Sequence, residues 1–259
     1  MSEALKVTLI QSDLVWENKK QNLLAFEERI LSATTETDLF ILPEMFTTGF
    51  SMTPELWAEP HLGETFTKMR TWAQTTKAAI LGSIIVKSNQ QFFNRAYFIF
   101  PDGTHQYYDK KHLFRMAKED EYYTPGIERV LVEYKGWRIF PLICYDLRFP
   151  VWSRNDLDYD LLIYLANWPE RRSSAWKTLL KARAIENLSY VAGVNRIGND
   201  GNGIEHSGNS ALIDFKGEEL SQIEPFKNVS ESIILNKEDL QQFRKKFPAH
   251  TDADYFTVK

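Results

Sequence analysis

Cys144 is the one cysteine of the 259-residue chain, and it directly follows the apolar run IFPLI at 139–143. The polar segment YDLR at 145–148 comes next, so the thiol lies where a buried strand is predicted to end. A side chain at such a position is held by a rigid element while it faces a cleft, which suits a nucleophile. The alternative is a small buried hydrophobe, which is how most lone intracellular cysteines behave. Position alone does not decide between the two.

A nucleophilic thiol needs a base or a cation nearby, because only a few per cent of it is ionised near neutral pH at its ordinary pKa. Glu44 is a candidate base, since it follows the apolar run at 38–42 and Pro43. Lys110 and Lys111 are candidate cations within the aromatic-framed segment YYDKKHLF at 107–114. Taken singly, Glu44 could instead cap a turn, and either lysine could be a solvated surface charge.

Strands and helices alternate along the chain, which is typical of an α/β protein. The pattern predicts strands at 7–11, 38–42, 79–86, 92–100, 104–108, 138–144, 161–166, 190–195, 210–214 and 232–235, and helices at 18–31, 64–77 and 173–187. Ser173 or Ser174 could cap the last helix. The stretch 110–126 has no clean periodicity and is interpreted as a functional loop. Because ligands bind at the carboxyl ends of strands in βαβ units, Glu44 is expected beside a cleft.

Composition limits the function classes that remain. The hydrophobic fraction of 43% supplies a large core, and the absence of a polar linker predicts one domain over 1–259. The net charge of -4 leaves no basic excess for binding nucleic acid. A single cysteine excludes an intramolecular disulfide framework and any multi-cysteine metal site.

Cofactors and membranes are not expected either. The five histidines have no ligand spacing, so no metal site is predicted. The glycine-rich segment 198–203 opens no helix and precedes no Lys-Ser or Lys-Thr, so it is interpreted as a flexible surface turn. The first residues carry no basic region followed by an apolar stretch, and no apolar run reaches about 18 residues. A cytoplasmic protein is therefore expected.

Three segments together resemble the three signatures of the nitrilase superfamily, the carbon–nitrogen hydrolases. They are LPEMF at 42–46, YDKKHLF at 108–114 and CYDLRFP at 144–150. Further matches cover most of the chain, at 119–126, Trp176, 183–187, 195–196 and 207–210. The cysteine segment is the most specific of these matches.

The resemblance implies a four-layer αββα sandwich, with Glu44 as general base, Lys110 as electrophilic stabiliser and Cys144 as nucleophile. Lys110 is chosen over Lys111 because the family lysine precedes the histidine of His-Leu-Phe by two positions. Glu119 matches the second glutamate of the family, with Glu121 as its rival. No cofactor is implied.

The chemistry agrees with these roles. Glu44 would take the thiol proton, and the Lys110 ammonium and the Tyr145 backbone N–H would stabilise the oxyanion that forms on a substrate amide. The product of this step is a thioester, and water activated by Glu44 would hydrolyse it.

The substrate is predicted from two further segments. The tail at 243–256 and the segment EMFTTGF at 44–50 are similar to the bacterial omega-amidase branch, whose members act on 2-oxo acid amides such as 2-oxoglutaramate and 2-oxosuccinamate. A carboxylate-bearing substrate needs a cation, for which Arg171 or Arg172 is the candidate. Both could equally be exposed at a helix start. Phe46, Tyr145 and Trp168 are expected to shape the pocket, although each could belong to the core.

Other hypotheses remain open at this point. An aliphatic amidase, an N-carbamoyl hydrolase or a nitrilase would carry the same three signatures. A non-catalytic redox sensor would use Cys144 but has no need of the acid and the lysine. The resemblance also implies a homodimer, in which a C-terminal tail from about residue 240 could dock on the partner subunit.

Overall fold

The computed structural model describes residues 4–33, 36–254 and 256–257, within which strands and helices alternate. The strands are β1 Ala4–Gln11, β2 Leu39–Ile41, β3 Glu59–Pro60, β4 Ala79–Ser88, β5 Gln91–Ile99, β6 His105–Asp109, β7 Val132–Tyr134, β8 Trp137–Ile143, β9 Leu161–Ala166, β10 Tyr190–Asn195, β11 Ile197–Asn199, β12 Glu205–Ser207, β13 Ala211–Ile213 and β14 Val229–Asn236. The α-helices are α1 Lys19–Leu31, α2 Pro54–Trp57, α3 Glu64–Thr76, α4 Glu119–Tyr122, α5 Pro150–Ser153, α6 Ser173–Asn187 and α7 Lys237–Lys246. Short 3₁₀ helices cover Arg115–Ala117, Cys144–Arg148, Glu170–Arg172 and Ala249–Asp252.

Two mixed sheets form the centre of the fold. The first has the order β14-β1-β2-β4-β5-β6, with β3 paired to β4, and the second has the order β13-β10-β9-β8-β7. The central strands run parallel in both sheets, with Leu9 opposite Ile41 in the first and Ile143 opposite Leu165 in the second. The carboxyl ends of β2 and β8 therefore carry Glu44 and Cys144 out of the two sheets.

The sheets pack face to face, and helices cover their outer faces. Apolar side chains of both sheets share one core, which includes Leu9, Ile41, Ile139 and Leu161. A second core lies between the first sheet and helices α1 and α3, and α6 packs on β10 of the second sheet. The predicted four-layer αββα sandwich is confirmed.

Several local predictions agree closely with the structure, because their periodicity is strong. Helix α6, strand β9 and strand β10 have the predicted bounds, and the side chain of Asn18 caps α1 by accepting from the Gln21 N–H at 3.1 Å. The capping prediction for α6 was wrong, since Arg172 occupies the N-cap position and no side chain caps the helix.

The C-terminal segment folds more than the sequence suggested. Helix α7 was missed, since its apolar face is narrow. Leu240 is nevertheless fully buried, and the Phe243 ring packs at a tilt against the Phe215 ring, with ring centroids 4.9 Å apart. The first residues of the predicted docking tail thus pack on their own chain. Tyr255 of that tail lies outside the described residues, and docking on a partner stays a prediction.

Candidate active site

Glu44 is held where β2 ends against β4. The Met45 N–H donates to Ser83 Oγ at 2.8 Å and the Phe46 N–H donates to the Ser83 carbonyl at 3.1 Å. Met45 has a φ of 43°, so the chain turns sharply just after Glu44. These contacts fix a carboxylate that is 0% exposed.

Lys110 directly follows β6 and is fixed by its backbone. Its N–H donates to the Asn94 carbonyl at 3.0 Å, and its own carbonyl accepts from the Gly126 N–H at 2.8 Å. A Cβ on Gly126 would lie 2.0 Å from the Asp109 carbonyl oxygen, so only glycine allows this close approach. The predicted functional loop at 110–126 is therefore closed onto the end of β6.

Cys144 is the first residue of the 3₁₀ helix that directly follows β8, and its backbone is strained. Its φ of 43° is in the left-handed region, which costs a non-glycine residue about 1–3 kcal/mol. The prediction extended the strand through Cys144, but the strand ends at Ile143. The turn projects the thiol into the cavity, as nucleophile elbows do.

A buried ionic cluster is formed by Glu44, Lys110 and Glu119. We call this cluster, together with Asn94 and Asn167, the floor of the site. The Lys110 ammonium lies 2.8 Å from Glu44 Oε1 and 2.9 Å from Glu119 Oε2. The floor leaves Lys110 only 1% exposed and Glu119 fully buried.

Amide groups complete the floor. Asn94 Nδ2 donates to Glu44 Oε1 at 2.8 Å, and the Asn167 N–H donates to Glu44 Oε2 at 2.9 Å. The Phe114 N–H donates to Glu119 Oε2 at 2.6 Å. Each carboxylate of the cluster thus accepts from the lysine and from at least one amide, as buried charges require.

Burial and neighbouring charges shift the titration of the site. Burial raises the pKa of the Cys144 thiol well above its usual value, and Glu44 adds to this while Lys110 opposes it. Although burial alone would lower it, the pKa of Lys110 is raised by Glu119 and Glu44. Burial also raises the pKa of Glu119, against the effect of Lys110. Burial and Glu44 therefore favour the protonated thiol, and the two glutamates favour the charged ammonium.

Asp146 joins the lysine segment to the cysteine segment. Its Oδ1 accepts from the His112 N–H at 2.9 Å and lies 2.8 Å from His112 Nδ1. Its Oδ2 accepts from Tyr108 OH at 2.8 Å and from the Ile143 N–H at 3.0 Å. Asp146 is completely buried, and it lies 38 residues after Tyr108 and 34 residues after His112 in the sequence. Its carboxylate therefore fixes the position of the lysine segment relative to the cysteine segment.

A cavity of about 560 Å³ opens above the floor, and Glu44, Lys110 and Cys144 all reach its surface. Three arginines line it, Arg148, Arg171 and Arg172, and we call them the arginine wall. No carboxylate of the described residues lies within ion-pair distance of any of the three. Unpaired cations beside a cavity suit an anionic ligand.

Aromatic rings support the arginine wall. The Arg148 guanidinium lies 5.0 Å from the Trp168 ring centroid, and the Arg172 guanidinium lies 5.1 Å from that of Phe114. Trp168 Nε1 also donates to the Arg172 carbonyl at 2.8 Å. Burial lowers the pKa of Arg172, and the charges of Arg171 and Arg148 add to this, whereas Cys144 opposes it. Arg172 is thus the more buried of the two predicted arginines.

The structure brings most of the predicted site residues to the cavity. Tyr145 and Trp168 line it, and Arg171 and Arg172 do so together. Glu119 lies under it on Lys110, whereas its rival Glu121 is exposed and pairs with Lys118 at 3.6 Å.

Phe46 was predicted to shape the pocket, but it does not line the cavity. It is 0% exposed and packs between Phe26 and Trp72, with ring centroids 5.1 and 6.4 Å away. The strand end that turns Glu44 toward the cavity places Phe46 on the helix side of the first sheet. Phe46 therefore belongs to the core and not to the cavity lining.

The glycine-rich segment at 198–203 is a largely exposed turn, in line with the predicted surface turn, and it also borders the cavity. It leads from β11 to β12, and Asp200 and Asn202 line the cavity. Asp200 Oδ1 accepts from the N–H groups of Asn202 and Ile204 within this turn. The segment is thus a hairpin wall of the site.

Four contacting residues were not singled out from the sequence: Asn94, Asp146, Arg148 and Asn167. Asp146 and Arg148 lie inside the cysteine signature, so their proximity to Cys144 was a usable signal. Asn94 and Asn167 lie within or after ordinary strands and have no local signal. Among the described residues, no group of three or more His, Cys, Asp or Glu side chains could hold a metal ion, and no helix there could span a membrane.

Comparisons with known proteins find similar proteins over almost the whole chain. The carbon–nitrogen hydrolase family profile matches residues 6–244. The chain is 48% identical to the Omega-amidase YafV of Yersinia enterocolitica over 98% of both chains. It is 30% identical to the 2-oxoglutaramate amidase of Bacillus subtilis, over 95% of this chain and 96% of that protein. A crystal structure of a CN-hydrolase superfamily protein from Xanthomonas campestris, with an arsenic adduct in its active site, superposes with a TM-score of 0.95 at 43% identity over 99% of both chains.

Proposed function

This chain belongs to the carbon–nitrogen hydrolase family, and we propose that it hydrolyses the terminal amide of small 2-oxo acid amides. The substrates are 2-oxoglutaramate and 2-oxosuccinamate, and the products are the 2-oxo dicarboxylic acid and ammonia. The observation that carries the proposal is one cavity with Cys144 beside the Glu44–Lys110 pair and an arginine wall that has no acidic partner within the described part of the chain. The names of the omega-amidase and 2-oxoglutaramate amidase relatives support this substrate class.

The first half of the reaction forms a thioester. Glu44 takes the thiol proton as Cys144 Sγ bonds to the amide carbon, since burial and the Glu44 charge favour the protonated form of the thiol. The Lys110 ammonium and the Tyr145 N–H stabilise the oxyanion. Glu44 then returns its proton to the leaving nitrogen, the C–N bond breaks, and ammonia departs.

The second half regenerates the enzyme. Glu44 removes a proton from water, whose oxygen attacks the thioester carbon, and the C–S bond breaks with return of the proton to Cys144. Glu119 holds Lys110 in place through both halves, since its carboxylate oxygens lie 2.9 and 3.0 Å from the ammonium. Glu44, Lys110, Cys144 and Glu119 are thus the proposed catalytic set.

The arginine wall binds the other end of the substrate. Arg172 is the primary partner of the substrate carboxylate, because it is more buried than Arg171 and its guanidinium packs beside the Phe114 ring. Arg148 and the more exposed Arg171 add charge on the same wall. Trp168 contributes a flat surface beside them.

The protein is further proposed to be a cytoplasmic homodimer with a single domain. A free thiol nucleophile suits a reducing compartment. We assign the dimer contact to the face beside the active site. There the apolar side chains of Val151 on α5 and Ile185 on α6 are exposed, and both helices contact the 3₁₀ helix that begins at Cys144. Light scattering at micromolar concentration should give twice the monomer mass, and a monomer would refute the dimer.

A substrate panel tests the activity. Ammonia release is measured on 2-oxoglutaramate, 2-oxosuccinamate, an uncharged aliphatic amide of similar length, a nitrile and an N-carbamoyl compound. The two oxo acid amides should give the highest kcat/KM, whereas preference for another class would reject this substrate assignment.

Cys144→Ala should release ammonia about 10⁴-fold more slowly or not at all. Turnover by that variant would sink the mechanism, and reversible oxidation of Cys144 without any turnover would favour a redox sensor.

A further inference from the structure

Asn94 forms hydrogen bonds with both Glu44 and Lys110, although it carries no charge itself. It lies on β5 and is 1% exposed. Its Nδ2 donates to Glu44 Oε1 at 2.8 Å, and its carbonyl accepts from the Lys110 N–H at 3.0 Å. One residue therefore positions the base by its side chain and the lysine by its backbone.

The two oxygens of Glu44 are not equivalent. Oε1 accepts from Lys110 Nζ and from Asn94 Nδ2, both at 2.8 Å, which fills the two acceptor positions of a carboxylate oxygen. Among the residues that the structure describes, Oε2 accepts only from the Asn167 N–H, at 2.9 Å, and so keeps one acceptor position. The free acceptor position of Glu44 is thus on Oε2.

The remaining acceptor position of Glu44 faces the same cavity as the thiol. Glu44 and Cys144 both line this cavity, and so does Asn167, whose N–H donates to Oε2. Because Oε1 already accepts two hydrogen bonds, Oε2 is the oxygen that can accept a proton from Cys144.

A purely structural role does not explain an asparagine at position 94, because the buried amide destabilises the fold. Its Oδ1 is buried and has no hydrogen-bond partner among the described residues. A buried unpaired polar atom destabilises a fold, and an apolar side chain of similar size would avoid that cost. The contact with Glu44 is what the amide provides in return.

We propose that Asn94 is a positioning residue that ties up Oε1 of Glu44, so that Oε2 is the oxygen that receives the proton from Cys144 and later from water. This inference rests on the proposed role of Glu44 as base. The other titratable groups that act on or beside Glu44 are Lys110, Glu119, Cys144 and Tyr123.

The test is the pH dependence of kcat/KM for ammonia release from the preferred amide. Asn94→Leu removes the donor, so the acidic limb should move upward by about one pH unit. The value of kcat at neutral pH should fall about tenfold with KM changed less than about twofold. Asn94→Asp keeps the size but sets a second carboxyl against Glu44, and its acidic limb should move at least as far.

Asn187→Leu is the matched control. Asn187 is a buried asparagine on α6 that donates to the Arg183 carbonyl and does not line the cavity. This variant should lose stability while its pH profile stays at the wild-type position. Thermal unfolding of all variants separates folding defects from shifts of the limb, and Asn94→Asp decides the matter if Asn94→Leu does not fold.

Glu44→Gln separates the two levels of the proposal. If that variant keeps wild-type activity, Glu44 is not the base and the proposed mechanism fails together with this inference. If Glu44→Gln is inactive while folded Asn94 variants keep the wild-type limb, the inference about Asn94 alone is wrong. A limb shift in both Asn94 variants and none in the control supports it.

Discussion

The floor and the arginine wall of one cavity are built in opposite ways. On the floor, Lys110 and both glutamates are almost fully buried, and each charge is paired at 2.8–2.9 Å. On the wall, Arg171 is exposed, Arg172 is half-buried, and both lack an acidic partner among the described residues. The floor is complete without a ligand, whereas the wall has charge left for one.

This difference follows from desolvation. A buried charge without a partner is costly, so reacting groups in a dry site must be held by fixed partners before substrate arrives. A charge at a wet cavity wall costs little when unpaired and is available for recognition. Changes to the floor should therefore affect stability and kcat, and changes to the wall should affect KM.

The largest effect is expected from Lys110→Met. It leaves Glu44 and Glu119 buried without their cation, which costs about 3–5 kcal/mol of stability, and it removes the oxyanion donor, so activity should be undetectable. Denaturant unfolding and ammonia release measure the two effects. Lys111→Met is the control, since that half-buried ammonium lies 5.1 Å from the Trp152 ring centroid and not on the floor. Equal behaviour of both variants would contradict the assignment of Lys110.

The next largest effect is expected from Asp146→Asn. An amide cannot accept all the hydrogen bonds that reach Asp146, so the lysine and cysteine segments should shift and kcat should fall about 10–100-fold. KM should change little, because the wall is untouched. Asp160→Asn offers a comparison, as Asp160 is also buried but pairs with Lys237 and Arg244. A kcat loss of the same size there would mean that Asp146 acts through general stability.

Arg172→Gln should change recognition and leave the chemistry intact. Loss of a carboxylate partner should raise KM for 2-oxoglutaramate about 10–30-fold, with kcat nearly unchanged. Steady-state kinetics on an uncharged amide should show little difference from the wild type. Arg171→Gln should raise KM only a few-fold, since solvent and salt screen an exposed cation. If Arg171→Gln has the larger effect, the roles of the two arginines are reversed.

The smallest effect concerns His206, which lines the cavity and is 2% exposed. Burial lowers its pKa from 6.5 to about 4, and Arg196 adds to the shift. The pKa of His206 is lower in the folded protein than in the unfolded chain, so the neutral imidazole contributes to the stability of the folded state. This contribution is present above pH 6.5 and is lost as the pH falls toward 4. His206→Asn should therefore flatten the decline in unfolding free energy between pH 6.5 and 4 by about 1–3 kcal/mol. Urea titrations at several pH values measure it, and an unchanged slope would exclude His206 as its source.

The sequence was informative where local chemistry is unusual. A charged residue directly after an apolar strand, and a cysteine at the same kind of position, indicated strand ends that open to a cleft, as Glu44 and Cys144 do. Periodicity located α6 and β9 because amphipathic and fully buried patterns are strong local signals. The same signals failed for Phe46, since one residue after a sharp turn can face either side of a sheet.

Three things were determined by the sequence alone: the α/β class, the family resemblance, and the residue types that could carry thiol chemistry. Only the tertiary structure decided that Asn94 and Asn167 hold Glu44, that Asp146 joins two distant segments, and that the 198–203 hairpin and Arg148 line the cavity. These contacts join residues up to 123 positions apart. A pattern read along the chain reports local geometry, whereas the partners of a buried charge depend on which strand ends the packed sheets bring together.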